Sequence, residues 1–496
     1  MNVPKEVDLI IEKLKKEGFE AYAVGGCVRD FLRGEKPNDW DITTSASPEK
    51  LRKIFPKSFY ENKFGTVTVH TESEDPTLKE IEITTFRTEE KYSDMRHPDE
   101  VKFAKTIGED LKRRDFTVNA MALEKNDDGV WEIFDYFDGK KDLENKIIRA
   151  VGNPEKRFKE DALRLMRAVR FASTLNSLLK NASDSDWQIE PKTFSAIKEN
   201  AGLLDFISKE RIRDEFLKII NSKSAIQGIE LLRKTDLLKY ILPELLEGYG
   251  VGQNKHHIYE VYEHSLRSLN YAVKENFGFA VRMATLLHDI GKPRTKKGDG
   301  LNSTFYGHEI VGARMTEKIL ERLKFPKKDA EKITKLVRYH LFYYNVDEVG
   351  ESSVRRLVRQ VDPENIEELL QVRMSDRIGS GVPKAEPYKL RHLKYIIEKV
   401  SRDPISVKML KINGNDVMKI LKINPGQKIG AVLDALLGDV LDDPEKNNQD
   451  YLKKRVKELG KFSEEHLINL AGKAEHEKDQ LEIKKDEMTK KKYWVS

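Results

Sequence analysis

The sequence Gly25-Gly26-Cys27-Val28-Arg29-Asp30, followed by Asp39-Trp40-Asp41, decides the fold and the chemistry that we expect. Alternate residues of a strand face the same side, so Asp39 and Asp41 in an extended segment can share a divalent metal pair. Glycines let backbone N–H groups approach an anion, and Arg29 can contact a phosphate through two nitrogens. This pattern outlines a phosphoryl-transfer site. Because an isolated Asp-x-Asp is usually a solvated strand end or turn, the assignment depends on the segments that follow.

Composition bounds the class of protein. The chain has 496 residues, which is enough for about three or four domains. With 35% charged against 39% hydrophobic residues and a net charge of +5, it has the balance of a solvated protein, and its charge alone does not indicate nucleic acid. No apolar run could span a bilayer and the N-terminus lacks a secretory core, so we expect no membrane association. The single cysteine, Cys27, excludes an intramolecular disulfide and fits a reducing compartment, so we expect a cytoplasmic protein without a disulfide-linked partner.

Strand patterns are concentrated in the first 150 residues. Residues 66–70 and 80–86 alternate with period two, as half-buried strands do, and 20–24 is a short strand before the glycine turn. Residues 7–16 have helical periodicity. Beyond about 155 the strand signal fades and apolar residues recur at helical spacing. The sequence therefore predicts an α+β protein: a mixed α/β head followed by helical modules.

Two further segments supply residues for the expected site. Glu82, on the alternating strand, could be a third carboxylate for the metals, although an edge-strand surface acid is an equal alternative. The stretch 112–120 contains Arg114, Asp115 and Asn119 at a turn into a helix. A pair of basic residues such as Arg113-Arg114 is, by itself, usually part of a solvated face. Here it lies next to an aspartate and before an apolar helix start, which suits triphosphate and ribose binding.

Acids and arginines recur at helical spacing between residues 160 and 170. Asp161 and Arg164 are three apart, so a helix would place them on one face. As a surface ion pair they would contribute only about 0.3 kcal/mol. As a base reader, Asp161 would accept from an exocyclic amine while Arg164 donates to ring acceptors. Arg167 and Arg170 continue the stripe, and three arginines on one face repel each other unless an anion lies there. This argument favours a ligand.

In this order and spacing, the motifs resemble those of the class II tRNA nucleotidyltransferases. These are the CCA-adding enzymes, with the bacterial poly(A) polymerases as close relatives. The motifs are Gly-Gly-x-Val-Arg-Asp, Asp-x-Asp, Arg-Arg-Asp-Phe-Thr-x-Asn-Ala and Glu-Asp-x-x-Arg. The resemblance runs from about residue 20 to 175 without a gap and continues more loosely. It implies a polymerase-β-type nucleotidyltransferase head with a mixed sheet and helices, then all-α neck, body and tail that hold the acceptor arm and 3′ end of tRNA.

The resemblance also implies a role for each matching residue. Asp39 and Asp41 would hold two magnesium ions, and the nucleotides would be CTP and ATP. One ion would activate the tRNA 3′-hydroxyl for attack on the α-phosphate, and the other would stabilise the leaving pyrophosphate. Asp161 and Arg164 would form an amino-acid template that pairs with C or A. The remaining nucleotide contacts would be Gly25, Gly26, Arg29, Arg114, Asp115, Asn119, Arg167 and Arg170.

Two further features bear on the reaction. Residues 87–110, including Tyr92, Asp94, Arg96-His97-Pro98 and Asp99, resemble the family's flexible loop, whose presence argues against a CC-only enzyme but does not separate full CCA addition from A addition alone. The poly(A) polymerases tend to have Asp-Pro where this chain has Asp161-Ala162, and this difference favours tRNA.

A second set of residues follows the order of ligands in HD-type metal phosphohydrolases. It comprises His264, His288, Asp289, His308, His340 and Asp376. A His-Asp pair alone is most often an ordinary helix-surface pair, but here Lys292 follows, placed to meet a phosphate. Imidazole and carboxylate ligands suit Mn, Fe, Ni, Co or Zn. The resemblance is to the HD domain of some bacterial CCA-adding enzymes, which can hydrolyse phosphoesters including 2′,3′-cyclic ends. We expect metal binding there and give His256-His257 no ligand role.

We expect five parts: head 1–150, neck 151–250, HD domain 251–385, helical tail 386–472 and a charged extension 473–496. Three functions compete. The first is addition and repair of the tRNA 3′ CCA end, with A addition alone as its variant. The second is a poly(A) polymerase with broad RNA substrates. The third is an HD phosphohydrolase whose head only binds nucleotide, which would make the Asp39/Asp41 pair dispensable although the head motifs are complete.

Overall fold

The N-terminal part of the chain is built on a mixed sheet of seven strands in the order β3-β4-β5-β2-β1-β8-β9. Strands β2 and β5 are parallel, and the other neighbouring pairs are antiparallel. A separate hairpin joins β6 to β7. The strands are β1 Ala21–Val24, β2 Asp41–Thr44, β3 Ser58–Glu61, β4 Thr66–His70, β5 Glu80–Thr85, β6 Arg87–Glu90, β7 Glu100–Phe103, β8 Met121–Lys125 and β9 Trp131–Asp135. The helices among them are α1 Lys5–Lys16, α2 Gly26–Leu32, α3 Pro48–Ile54, α4 Ile107–Lys112 and α5 Gly139–Glu144.

This computed structural model describes residues 3–61, 65–90, 100–126, 128–175, 186–254, 258–346, 348–401 and 407–495. The chain divides into two compact units. One comprises residues 1–341 with 368–383, and the other comprises 342–367 with 384–496.

The two faces of the sheet carry separate apolar clusters. Helix α1 buries Val7, Ile11 and Leu14, spaced for one helical face, against one side of the sheet. Tyr22 and Leu111 belong to the cluster on the other side. In β5 the inward residues are buried while the alternate acids stay exposed, which confirms the predicted period-two pattern. The acids of β5 are thereby left at the surface where the site forms.

Helices dominate the remainder of the first unit. They are α6 Pro154–Glu160, α7 Leu163–Thr174, α8 Pro191–Glu199, α9 Lys209–Asn221, α10 Ala225–Lys234, α11 Leu238–Ile241, α12 Pro243–Leu246, α13 Val261–Lys274, α14 Phe279–Leu287, α15 Lys292–Thr295, α16 His308–Arg322, α17 Lys327–Tyr339 and α19 Ile366–Gly379, whose first two residues fall in the second unit. The expectation that strands end near residue 150 needs one correction, because β10 Ile147–Ile148 pairs in parallel with β11 Gln188–Ile189. The predicted fold class, an α+β head followed by helical modules, is confirmed.

The second unit is helical throughout its described residues. Its helices are α18 Glu351–Val361, α20 Tyr388–Ser401, α21 Gly414–Leu421, α22 Gln427–Asp442, α23 Gln449–Leu459 and α24 Glu464–Tyr493. Val417, Leu436 and Val456 lie in its core. Helix α21 begins with a capping box in which Asn413 and Asp416 bind each other's backbone N–H groups. Within the part of the chain that the structure describes, no helix combines the length and apolar character needed to cross a membrane.

Candidate active site and metal centre

Gly25 ends β1 with a left-handed backbone, φ 84°, and leads directly into α2. A β-carbon at this position would lie 2.7 Å from Nη1 of Arg114 and 3.8 Å from Oδ2 of Asp41. The glycine is therefore required twice, for its backbone angle and for the approach of the arginine. Arg114 also contacts Asp110 through Nη2 at 3.4 Å. The turn thus brings a guanidinium to the edge of the predicted carboxylate site.

The predicted carboxylates meet where β2 begins beside the parallel strand β5. Asp41 and Glu82 are partners in the register of β2 and β5, and Asp39 lies just before β2. The expectation that both aspartates belong to one strand is wrong, but Trp40 between them is buried, so they flank an inward side chain. Burial and the charge of Asp39 raise the pKa of Asp41 to about 6, with Glu82 adding to and Arg114 opposing the rise. Carboxylates gathered this closely suit a divalent cation, so the donor set fits a metal.

A chain of buried polar contacts continues from the glycine turn. Arg29 donates to both oxygens of Asp30 at 2.8 Å and to Oδ1 of Asn119 at 2.7 Å. Asn119 in turn donates to Oδ1 of Asp115 at 3.2 Å. The guanidinium of Arg29 is thereby held in place by protein groups before any ligand binds.

Arg167 of α7 completes this network. It donates to Oδ2 of Asp115 from Nε at 2.8 Å and from Nη2 at 2.6 Å. Burial alone would raise the pKa of Asp115, but the charge and hydrogen bonds of Arg167 hold that pKa far below its usual range. Asp115 is therefore ionised at neutral pH and is engaged by the protein itself.

The expectation that the arginines of α7 need a bound anion is wrong, because each of them has a protein carboxylate. Arg164 contacts Glu160 at 2.8 Å, and Arg170 contacts Glu215 at 2.7 Å. Arg167 has Asp115, as described above. Two of these partners come from distant segments, which sequence spacing does not reveal. The stripe therefore gives no support for a bound anion, although its residues lie beside the site.

Asp161 is not on the same helix as Arg164. It lies between α6 and α7 with an extended backbone, and its Oδ1 accepts from the backbone N–H of Leu163 at 3.0 Å. Its Oδ2 accepts from Arg211 at 3.2 Å, a partner that sequence reasoning missed. Arg164 lies in the first turn of α7 and donates from Nη2 to the carbonyl of Arg113 at 3.2 Å. The two residues are still adjacent, at a helix junction rather than along one helical face.

The six predicted HD residues converge in the helical part of the first unit. Their ligand atoms form two groups, each within 4.8 Å: His264, His288 and Asp376, and Asp289, His308 and His340. Asp289 connects the groups, because its Oδ2 lies 3.1 Å from Nε2 of His264 while its Oδ1 lies 3.3 Å from Nε2 of His308. All six residues are buried. Imidazole and carboxylate donors converging from separate helices fit a centre for two divalent metal ions.

Backbone contacts orient three of the four imidazoles. Nδ1 of His288, His308 and His340 lies 2.8, 2.8 and 2.6 Å from the carbonyl oxygen three residues earlier. If Nδ1 donates to these carbonyls, Nε2 is left as a metal-ligating lone pair. Burial lowers the pKa of His288, but Asp289 and Asp376 outweigh it and raise that pKa to about 10. His340 of the same centre shifts the other way, because burial and the neighbouring His288 lower its pKa to about 3.

A cavity of about 710 Å³ opens onto this centre. Besides ligands of the centre, it is lined by Lys292, Tyr306, Arg373 and Arg377. Lys292 donates to Oδ2 of Asp289 at 2.6 Å, so it lies beside the ligands, and its contact with a phosphate stays a prediction. Sequence reasoning missed Tyr306, Arg373 and Arg377.

Some expectations fall on residues outside the described ranges. These are the loop residues Tyr92, Asp94, Arg96, His97, Pro98 and Asp99, and the pair His256-His257. Cys27 is described: it is buried in α2 with its pKa raised to about 12 by burial and by Asp41, which agrees with a packing role.

Family models match three successive parts of the chain. Residues 21–149 match the Poly A polymerase head domain, 186–248 a probable RNA and SrmB-binding site of polymerase A, and 261–378 the HD domain. The fold and the carboxylate site thus define a nucleotidyltransferase of the polymerase head type with an HD domain. A CCA-adding enzyme of Ligilactobacillus salivarius is 36% identical over 457 residues, covering 90% of this chain and 96% of the relative. One from Enterococcus faecalis is 33% identical over 459 residues, covering 90% and 94%.

Solved structures give the same result. The CCA-adding enzyme of Bacillus stearothermophilus in complex with CTP is 29% identical, with a TM-score of 0.54, covering 92% of this chain and 98% of that one. A Thermotoga maritima CCA-adding enzyme complexed with tRNA shares the fold at 21% identity, with a TM-score of 0.52 over 92% of this chain and 96% of that one. This chain belongs to the family of CCA-adding enzymes, which are nucleotidyltransferases.

Proposed function

We propose that this chain adds and repairs the 3′-terminal CCA of tRNA, using CTP and ATP without a nucleic-acid template. The observation that carries the proposal is the register of Asp41 with Glu82, with Asp39 beside them and Arg114 over the Gly25 turn. This arrangement supports the proposal, because it gathers carboxylates suited to metal and a cation suited to phosphate beside two interior strands of the sheet. The relatives named above supply the reaction class.

Asp39, Asp41 and Glu82 are the residues that would hold Mg²⁺ in the head. Bound there, the ions would activate the RNA 3′-hydroxyl and neutralise the charge of the leaving pyrophosphate. Arg114 stands next to Asp41 and can meet the triphosphate. Arg29 is immobilised by Asp30 and Asn119, so it can position a phosphate oxygen without losing rotamer freedom.

Asp161 and Arg164 are the residues we propose for base selection. Each oxygen of Asp161 already accepts one hydrogen bond, which leaves a second lone pair on each for an exocyclic amine. The guanidinium of Arg164 has five N–H donors, and its contacts with Glu160, Arg157 and Arg113 leave donors for ring acceptors. The protein contacts that hold both side chains also fix the direction in which they present these groups. Such fixed directions suit discrimination among bases.

The test is addition to tRNA transcripts ending in the discriminator base, in C or in CC, each offered CTP or ATP with magnesium. We expect C on the discriminator end and then a single A. Extension of the CC-ended transcript alone would identify an A-adding enzyme. Long A tails on unrelated RNA would identify a poly(A) polymerase. Asp39→Ala with Asp41→Ala should abolish addition, whereas Glu74→Ala, an exposed head acid, should retain it.

A second activity is favoured by the six converging ligands: we propose that the HD centre binds Mn, Ni, Co, Fe or Zn and hydrolyses phosphoesters such as 2′,3′-cyclic RNA ends. In that hydrolysis a water oxygen bonds to phosphorus, one P–O ester bond breaks, and the released sugar hydroxyl takes a proton. His288→Ala with Asp289→Ala should remove metal and hydrolysis while CCA addition continues. Hydrolysis that persists in this variant with nickel or manganese present would contradict the assignment.

A further inference from the structure

The cavity at the HD centre is large enough for more than a phosphate. Its volume of about 710 Å³ falls within the roughly 300–1,000 Å³ of sites that bind small molecules and cofactors. Asp289, His308, His340 and Asp376 contribute the metal-ligand part of its wall, and Tyr306 and Arg377 contribute to the rest. A phosphoester bound at the metals would therefore have room for the group it carries.

Two cations of the cavity are already engaged with metal ligands. Lys292 donates to Oδ2 of Asp289 at 2.6 Å and to Oε1 of Gln253 at 2.6 Å. Arg373 donates to Oδ2 of Asp376 at 2.6 Å. Removing either would disturb the metal centre itself, so neither is well placed to select a ligand independently.

Arg377 differs from both. It lies one helical turn after Arg373 on α19 and forms no ion pair with any residue that the structure describes. Its Nε is buried without a hydrogen-bond partner among those residues. Two arginines at this spacing repel each other. On α7 each arginine is neutralised by its own carboxylate, whereas here the positive charge of Arg377 is left facing a cavity.

Tyr306 is the second unusual residue. Its side chain is 86% exposed although it lines the cavity between two buried neighbours, Phe305 and His308. Gly307 has a left-handed backbone with φ 76°, and α16 begins immediately afterwards. This turn buries the metal ligand His308 and leaves the tyrosine ring at the rim. An exposed aromatic ring offers a face on which a nucleic-acid base can stack.

We propose that Arg377 binds a phosphate and Tyr306 stacks on the base of a nucleotide, so that the HD cavity selects nucleotide phosphoesters over phosphoesters without a base. The inference rests on the HD centre proposed above. The nucleotide could be free or could be the terminal nucleotide of an RNA, since both present the same phosphate and base. Arg377 and Tyr306 are binding residues in this proposal, and the metal ligands keep their own role.

The experiment measures binding to the full-length protein by calorimetry, with chelator and with Mn²⁺. The probes are adenosine 3′-phosphate, an RNA oligomer with a 3′-phosphate, and β-glycerol phosphate. Hydrogen exchange of residues 304–308 and 373–382 separates binding here from binding in the head. The variants are Arg377→Gln, Arg377→Lys, Tyr306→Ser and Tyr306→Phe. Arg314→Gln and Tyr343→Ser are matched controls, because both residues are exposed and neither lines the cavity.

We expect Arg377→Gln to weaken the binding of all three phosphate probes by about tenfold or more, because a charge-assisted contact is lost. Tyr306→Ser should weaken only the two nucleotide probes, by about tenfold, while Tyr306→Phe and the controls remain near wild type. Tighter binding of the oligomer than of the free nucleotide would identify RNA ends as the source, and the reverse order would identify free nucleotides. In either case, loss of nucleotide binding in Tyr306→Ser but not in Tyr306→Phe supports the proposal.

Unchanged affinity for the nucleotides in both Arg377→Gln and Tyr306→Ser would overturn the inference, as would equal losses of nucleotide and β-glycerol phosphate binding in Tyr306→Ser. Bound metal, measured for every protein, separates this failure from failure of the HD assignment. Wild type that takes up no Mn²⁺ would overturn the metal centre, and the binding measured with chelator would still decide the roles of Arg377 and Tyr306.

Discussion

Arg167 and Asp115 form an ion pair in which two guanidinium nitrogens converge on one carboxylate oxygen, at 2.8 and 2.6 Å, across 52 positions of sequence. The pair connects α7 to the segment between α4 and β8 of the head. Asp115 also accepts from the backbone N–H of Phe116 and from Asn119. It therefore joins the helix carrying the proposed base-selecting arginine to the glycine turn.

Asp115→Asn is expected to lower the free energy of unfolding by about 3–5 kcal/mol, because it leaves the charge of Arg167 without its partner. The pKa of Asp115 is held far below its usual range. Its stabilisation is thus present above the unfolded-state pKa and is lost as pH falls toward the folded-state value. Urea unfolding at pH 7 and in acid measures both effects. Asp214→Asn, which breaks an exposed pair with Arg213, should cost less than about 1 kcal/mol. Equal costs would contradict the assignment.

Asp41 should destabilise the metal-free protein at high pH. Its pKa is raised to about 6 by burial and Asp39, above an unfolded value near ~3.9. The cost of ionising it is therefore present above about pH 6 and disappears as pH falls below the unfolded value. We expect Asp41→Asn to raise the free energy of unfolding by about 1–2 kcal/mol at pH 8 in chelator, and by much less at pH 4.5. A gain that does not change with pH would show that charge is not the cause.

Gly25→Ala should inactivate nucleotide addition. The new β-carbon would lie 2.7 Å from Nη1 of Arg114, so the arginine must leave its position beside Asp41. Gly34→Ala is the matched control, since Gly34 also has a left-handed backbone, φ 72°, but a β-carbon there would have no neighbouring atom within 4 Å. We expect at least a hundredfold loss of CTP incorporation for Gly25→Ala, or about 3 kcal/mol in the barrier. Similar losses in both variants would mean that backbone strain alone is responsible.

The HD centre should bind two ions per chain. Asp376 belongs to one group of ligands and His308 to the other, with Asp289 between them. Asp376→Asn and His308→Ala should each reduce the bound metal, while Asp289→Asn should weaken both positions. Elemental analysis after dialysis against manganese counts the ions. His392→Ala, a histidine of the second unit, should leave the count unchanged. A wild-type count of one would show that the groups share a single ion.

Residues set by local pattern were predictable from sequence, and residues set by distant partners were not. Alternation in β5 correctly placed Glu82 on the exposed face, and the ligand types of the HD set were sufficient to predict convergence. The prediction of a ligand for the α7 arginines failed because their partners Asp115 and Glu215 are remote in sequence. Charge compensation between distant segments leaves no periodic signal. The prediction that Asp161 shares a helix with Arg164 failed because α6 ends just before Asp161. Its side chain then accepts from the backbone N–H of Leu163, the first residue of α7.

His288, His308 and His340 each have a nitrogen against a carbonyl three residues earlier in their own segment. Each of these three rings thus has a contact at Nδ1 that its own segment supplies, in addition to its contacts with the other ligands. A descendant of this chain could then lose one ligand after another and keep the same helical scaffold. The phosphoester chemistry proposed for this domain is therefore separable from its architecture, so the fold alone would not show whether a related sequence keeps that activity.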